Sequence, residues 1–370
     1  MNMQERNPLI DLIKGMGIIL MVLGHSGFPF TRFIYLFHMA IFFMASGYCY
    51  KDEDSESIKN SFKFVKRRVF SLWIPYIIWT TIFTLLHNIF ISLNIYTTNP
   101  LILNYTSIGG TLSEVWSYKE MLKNICLSFF LSGGTKIGGA LWFICILLKI
   151  SFLYIFFDIL IKQFFKNSIL VQGILAIIFL FIGYIFHLKN IRFLSLDKVF
   201  SYYCLFCLGY VIKRFNLSDY FNAWYSRLIV LGSAFIVLLI CNKLGRIELA
   251  ETDYVNPAFL IISSLAGWQL LYEISYFIYQ IPKISNIVIV IGKNTLAVVI
   301  LHFLCFKIIN LIGIFITKSP IFLLACFPTY MKNGVWWLAY CFTGVSIPVL
   351  LSIGYKNIKQ KIIVKSLPNQ

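Results

Sequence analysis

The sequence predicts an all-α, polytopic integral membrane protein with about ten transmembrane helices and both termini in the cytoplasm. Three observations carry that prediction. Hydrophobic residues make up 59% of the 370-residue chain, charged residues 13%, and the mean hydropathy is +0.80. Many windows exceed the ~20 apolar residues that a membrane-crossing helix needs, and they are continuously apolar instead of alternating as transmembrane β-strands do. Lys and Arg are more numerous in the alternate loops on the N-terminal side, the densest cluster being Lys63, Lys66, Arg67 and Arg68. The positive-inside bias therefore places the N-terminus inside. The formal net charge of +17 is dispersed through loops, which fits basic loops beside an anionic leaflet better than nucleic-acid binding. No cleavable signal peptide is expected, because no small-residue cleavage site precedes Pro29. The expectation is a single domain over residues 1–370.

Taken in order, the first two spans are 9–27 and 33–50, joined by a turn at Gly27, Pro29 and Thr31 that interrupts two apolar runs. The third, 70–93, enters behind Arg67 and Arg68. Residues 94–138 form a long connection with Gly109-Gly110 and Gly133-Gly134 as breakers and an interfacial helix at Met121–Leu131. The fourth span, 139–161, opens on Ala140-Leu141-Trp142-Phe143, and 168–187, 198–213, 227–243 and 256–279 follow. The ninth, 289–316, opens on Gly292-Lys293-Asn294-Thr295, where Asn and Thr suit a helix cap, and 335–355 is the tenth. The nine cysteines lie mostly in apolar runs. Cys204 and Cys207 form a CxxC with no partner cluster, so they read as small apolar packing, and no metal site is expected.

Ionisable residues inside a bilayer are costly and belong in a protein interior or a wet cavity. The first span carries Asp11, Lys14 and His25. Lys14 and His25 are eleven residues apart, so they lie roughly 20° apart around the helix and roughly 16 Å apart along it. Asp11 and Met21 share their stripe. The pair reads as two ends of one elongated site, although Lys14 can also pair with Asp11 one turn away. His25 has the chemistry of a general base at neutral pH, and its bland alternative is a helix–helix hydrogen bond. Gly24 and Ser26 would leave room at its ring. His38 opens the next span at a similar depth, and His302 lies in the ninth span. Arg67 and Arg68 either obey the positive-inside rule or bind phosphate. Trp142 is a belt residue or a site residue. Lys149, mid-membrane, needs a partner, for which Asp158 and Glu273 are candidates. A conduction path would explain the same charges, so a transporter or flippase of lipid-linked sugars is the alternative reading, though no repeated half or matched pair of broken helices is visible.

These residues resemble the membrane acyltransferase-3 family, O-acyltransferases that modify cell-surface glycans. The likeness rests on Leu9-Ile10-Asp11-Leu12-Ile13-Lys14-Gly15, Val22-Leu23-Gly24-His25-Ser26 and Phe37-His38-Met39-Ala40-Ile41-Phe42-Phe43-Met44-Ala45-Ser46-Gly47-Tyr48. Looser matches are Arg67-Arg68 before Ile74-Pro75-Tyr76, Leu141-Trp142-Phe143, and Asn294 with His302. The resemblance implies a bacterial inner-membrane O-acetyltransferase with acetyl-CoA as donor and a glycan or its lipid-linked precursor as acceptor. Transfer of succinyl or another acyl group is the variant within that class. His25 would be the essential base, with His38, His302 and Asp11 completing the catalytic set. Lys14, Arg67, Arg68, Trp142 and Asn294 would bind the donor. Many members carry a second arginine three residues after the first, and counted from Arg68 that position is Ser71.

Overall fold

The structure, a computed structural model, describes residues 7–106, 112–217 and 223–366, with side chains described to residue 361. Arg6 and the Gly109-Gly110 breaker lie outside the described residues. Nine helical segments among the described residues are long and apolar enough to cross a membrane. The only strands described there are a two-stranded antiparallel hairpin, so the protein is all-α.

Helix α1 (Pro8–His25) starts where Asn7 accepts from the Leu9 amide at 2.9 Å and Pro8 occupies the first turn. It ends at Ser26, and Gly27 (φ +86) supplies the left-handed turn that follows. The expected second span is broken into α2 (Thr31–Tyr35) and α3 (His38–Tyr48), with the break at Leu36 and Phe37. There the Phe37 amide turns back to the Ile34 carbonyl at 3.2 Å, and the His38 ring Nδ1 reaches the same oxygen at 3.0 Å. The imidazole thus helps satisfy a carbonyl left short by the break, as buried backbone requires.

The third span also begins earlier than the sequence suggested. Helix α4 (Ile58–Arg68) runs through a π-helical turn at Val69–Trp73 into α5 (Ile74–Leu85). Pro75 has no N–H for the carbonyl four residues back, and the wider turn absorbs that loss. Arg67 and Arg68 consequently sit within a continuous helix, not at its mouth. Helices α6 (His87–Ser92) and α7 (Tyr118–Phe129) follow. α7 overlaps the helix expected at Met121–Leu131 and starts earlier, at a Ser117–Glu120 capping box.

Helices α8 (Trp142–Phe164), α9 (Ser168–Leu188), α10 (Leu196–Arg214) and α11 (Trp224–Leu244) come next. Strands β1 (Ile247–Glu248) and β2 (Asp253–Tyr254) then pair Ile247 with Tyr254, before α12 (Pro257–Tyr279). The expected ninth span is divided at Lys293 into α13 (Pro282–Gly292) and α14 (Thr295–Thr317). Helix α15 (Trp336–Ser366) closes the fold.

α1 lies at the centre, against α3, α12, α13, α14 and α15. Where helices cross most closely, glycine makes it possible. A Cβ at Gly47 would overlap the Phe206 carbonyl and one at Gly209 the Met44 carbonyl, where α3 meets α10. Gly15 and Gly292 play the same part between α1 and α13. Small residues of this kind let helix backbones approach in a bilayer, where packing drives association. Asn294 bonds Ser352 and Lys356 of α15 and adjoins Gly292, which packs on Asp11, so both ends of the described chain lie at one end of the bundle.

Two candidate partners of Lys149 are engaged elsewhere. Glu273 pairs with Arg227 at 3.0 Å, both buried, and Asp158 pairs with Lys162 at 3.0 Å. Asp158 is roughly 14 Å farther along α8 than Lys149, beyond reach of its ammonium. Lys149 instead donates to the Leu194 carbonyl at 2.9 Å.

Candidate active site

The turn after α1 brings Tyr35 back over the helix it has just left. Its ring lies against Gly24, where a Cβ would come within 2.6 Å of the ring edge. The small residue at 24 therefore makes room for Tyr35, whereas Ser26 is buried and donates to the Leu23 carbonyl at 2.7 Å. The Tyr35 hydroxyl lies 3.4 Å from the Gly24 carbonyl and 3.2 Å from His25 Nδ1. When the hydroxyl gives its proton to the carbonyl, its lone pair can receive the Nδ1–H of His25, and the lone pair of the ring is then on Nε2.

The other two imidazoles carry a proton on Nδ1. His38 donates from Nδ1 to the Ile34 carbonyl, and His302 from Nδ1 to the Val298 carbonyl at 2.8 Å. The His302 ring stacks on His25 with centroids 5.6 Å apart, and the Phe303 ring lies beside it, 5.0 Å from His25 and 4.0 Å from His302. His302 Nε2 is buried with no hydrogen-bond partner among the described residues. His25, His38 and His302 thus converge from α1, α3 and α14, as the sequence suggested. His87 and His187 are not part of this group. His87 stacks on Trp116 at 3.9 Å and donates from Nε2 to the Glu114 carbonyl at 3.0 Å.

A narrow cavity of about 40 Å³ adjoins His25, lined by Ile18, Met21, Tyr35, His38, Trp142 and Glu248 among others. It has room for water but not for a sugar ring. Ile18, Met21 and His25 continue the α1 stripe that starts at Lys14. Glu248 was not legible in the sequence as a site residue, since nothing distinguishes it from other loop acids. The β-hairpin carries it over α1, held by Arg32, which donates to the Gly245 carbonyl at 3.0 Å. Burial, reinforced by the Glu251 and Asp253 carboxylates, raises the Glu248 carboxyl above its usual value. Tyr35 was also missed, because a tyrosine beside a turn is unremarkable until the turn folds it back.

Trp142 also lines a second, much larger cavity of about 1090 Å³. The Gly138–Phe143 stretch is the partition, with Gly138, Gly139 and Leu141 on the large cavity and Ala140 and Phe143 on the His25 side.

At the other end of α1, Lys14 donates to Cys49 Sγ at 3.8 Å. Cys49 lines a third cavity of about 640 Å³ together with Lys51, Asp54, Arg67, Arg68 and Ser71. Arg67 is fixed by Asp54 at 2.5 Å, and the Arg68 guanidinium lies over the Phe64 ring at 5.0 Å. Cations therefore cluster at this end and imidazoles at the other. The second and third cavities have no lining residue in common with each other, nor does the third share one with the His25 cavity.

Four of the expected site residues line none of these cavities: Lys14 and His302 adjoin them through Cys49 and His25, whereas Asp11 and Asn294 have other surroundings. Asp11 is buried where α13 crosses α1, its carbonyl against Gly292. Asn294 precedes α14 without capping it through its side chain. Its Oδ1 accepts from Ser352 at 2.8 Å and Lys356 at 2.6 Å, and its amide donates to the Val290 carbonyl at 2.8 Å. No cluster of His, Cys, Asp or Glu suited to a metal ion occurs among the described residues.

A family model described as an acyltransferase domain matches residues 7–355. No curated protein and no solved structure matches the chain.

Proposed function

The chain belongs to the acyltransferase domain family, and from that premise we propose that it moves an acetyl group from acetyl-CoA to a hydroxyl of a cell-surface glycan or its lipid-linked precursor. It is a multi-pass membrane acyltransferase. The observation that supports the finer reading is that His25 lines a cavity while its Nδ1 is engaged by the Tyr35 hydroxyl.

In this reading the coenzyme A phosphates rest at the Lys14, Arg67 and Arg68 end, which is cytoplasmic. Guanidinium and ammonium groups suit phosphate through charge-assisted hydrogen bonds. Lys14 and His25 are roughly 16 Å apart along the helix, a span that an extended pantetheine arm covers. Because the cavities at the two ends have no lining residue in common, side chains along the stripe between Lys14 and Ile18 part when the arm enters. His25 Nε2 then takes the proton of the acceptor hydroxyl as its oxygen attacks the thioester carbonyl. The carbon–sulfur bond breaks, the coenzyme A thiolate leaves, and the imidazolium returns the proton to it. His302, stacked on His25, supports the ring, and Trp142 stands where the acyl group and the acceptor meet.

Purified protein given acetyl-CoA and acceptor membranes should release free coenzyme A, and His25→Ala should lower that rate by about 10²–10⁴-fold, the usual worth of a general base. Near-normal release by a well-folded His25→Ala protein would refute the assignment.

A further inference from the structure

The large cavity beyond Trp142 is cationic in an unusual way. Of the side chains lining it, Lys136, Lys149, Arg192 and Lys198 are positive and only Glu114 is negative. Arg192 is paired with Glu251 at 3.0 Å. Among the described residues the three lysines form no ion pair with a carboxylate. Lys136 donates to the Leu112 carbonyl, Lys149 to that of Leu194 and Lys198 to that of Ala250. A carbonyl fixes an ammonium in place without cancelling its charge, and it uses one of the three N–H donors. Three positioned lysines thus converge on one space, Lys198 with the Asp197, Glu248 and Glu251 carboxylates near it, Lys136 and Lys149 with their charge held only by carbonyls. Burial lowers the Lys136 ammonium from its usual value, a cost that a bound anion would offset.

The cavity volume of about 1090 Å³ slightly exceeds the roughly 300–1,000 Å³ of small-molecule pockets, enough for several sugar rings. The Trp142 ring forms part of its wall, with the Lys198 ammonium 5.6 Å from the ring centroid. Aromatic faces suit sugar rings, and cations suit carboxylate or phosphate.

We propose that this cavity is the acceptor site and that the acceptor is anionic, an oligosaccharide bearing carboxylate or phosphate groups held by Lys136, Lys149 and Lys198. The inference rests on the acyl-transfer reading above and names its substrate class. The negative groups sit among the lysines, and a neighbouring sugar reaches past Trp142 with the hydroxyl that His25 deprotonates. The anion comes either from the sugars themselves or from the phosphate of a lipid carrier.

Calorimetry on the purified full-length protein distinguishes these sources without any donor present. Trigalacturonate and its neutral methyl ester form one arm, farnesyl diphosphate and farnesol the other. In at least one arm the anion should bind about tenfold more tightly than its neutral counterpart, with affinity falling as salt rises. Preference in the first arm identifies sugar carboxylates, preference in the second the carrier phosphate. Lys149→Met should erase the preference and Lys149→Arg retain most of it, both at unchanged thermal midpoint. If neither anion is preferred, or if a folded Lys149→Met protein binds as wild type does, the proposal fails. Such failure leaves coenzyme A release by wild type and its loss in His25→Ala untouched, so the two readings fall separately.

Discussion

A neutral histidine always has one nitrogen able to accept a proton, and the partner of the other decides which one it is and how the ring is held. At His25 that partner is Tyr35. Its hydroxyl sits between a carbonyl and His25 Nδ1 at 3.4 and 3.2 Å. Removing the hydroxyl frees the ring to rotate or change tautomer. Tyr35→Phe should therefore lower kcat by about tenfold or more with little change in acceptor KM or thermal midpoint, since a misheld base costs rate before binding. Unchanged kcat would show that Tyr35 does not orient His25. Glu248, on the wall of the same cavity, gives a second residue-level expectation. Its folded-state carboxyl is raised above the ordinary value of 4.5, chiefly by burial. Its contribution to folding is complete below that value and is lost as pH rises through the raised one. Glu248→Gln should flatten the decline of thermal midpoint with pH just above the usual carboxylate range. An identical pH profile in the variant would show that Glu248 is not buried in the folded protein.

Among elements, the crossings are set by glycines and the breaks by hydrogen bonds that apolar patterning does not reveal. Gly209 meets the Met44 carbonyl where α10 crosses α3, whereas a Cβ at Gly173 in α9 would touch nothing within 4 Å. Gly209→Val should lower stability by at least about 1–3 kcal/mol through overpacking, while Gly173→Ala should be neutral or stabilising by about 0.5–1 kcal/mol. Thermal unfolding in detergent separates them, and equal midpoints would contradict the packing described. The same contrast explains what was legible in the sequence. The long apolar runs of α8 to α12 are local signals and stand nearly where hydropathy places them. The break at Phe37 is local but leaves no trace in hydropathy, because it is supported by the polar His38 ring reaching the Ile34 carbonyl four residues back. Nor was α13 visible as a separate helix, since Lys283, Ser285 and Asn286 interrupt its first half and the apolar run from Ile287 looks continuous with α14 until Lys293 ends it. The stripe from Lys14 to His25 was readable from helix geometry alone. The fate of Asp11 on that stripe was not, because α13 covers it.

At the scale of the whole molecule, the fold separates two chemistries along one helix. Guanidinium and ammonium groups collect around the cavity beside Lys14, imidazoles and an aromatic partition gather around His25, and a larger cationic cavity opens beyond Trp142. In the proposed reading such a layout serves a reaction whose two substrates arrive from opposite faces of a membrane. Sealed vesicles carrying the protein test it directly, with acetyl-labelled acetyl-CoA supplied to the Lys14 face and acceptor glycan confined to the His25 face. The account predicts that label appears on the enclosed glycan with wild type and not with His25→Ala. Transfer that requires donor on the His25 face, or that persists in the His25→Ala protein, would contradict it.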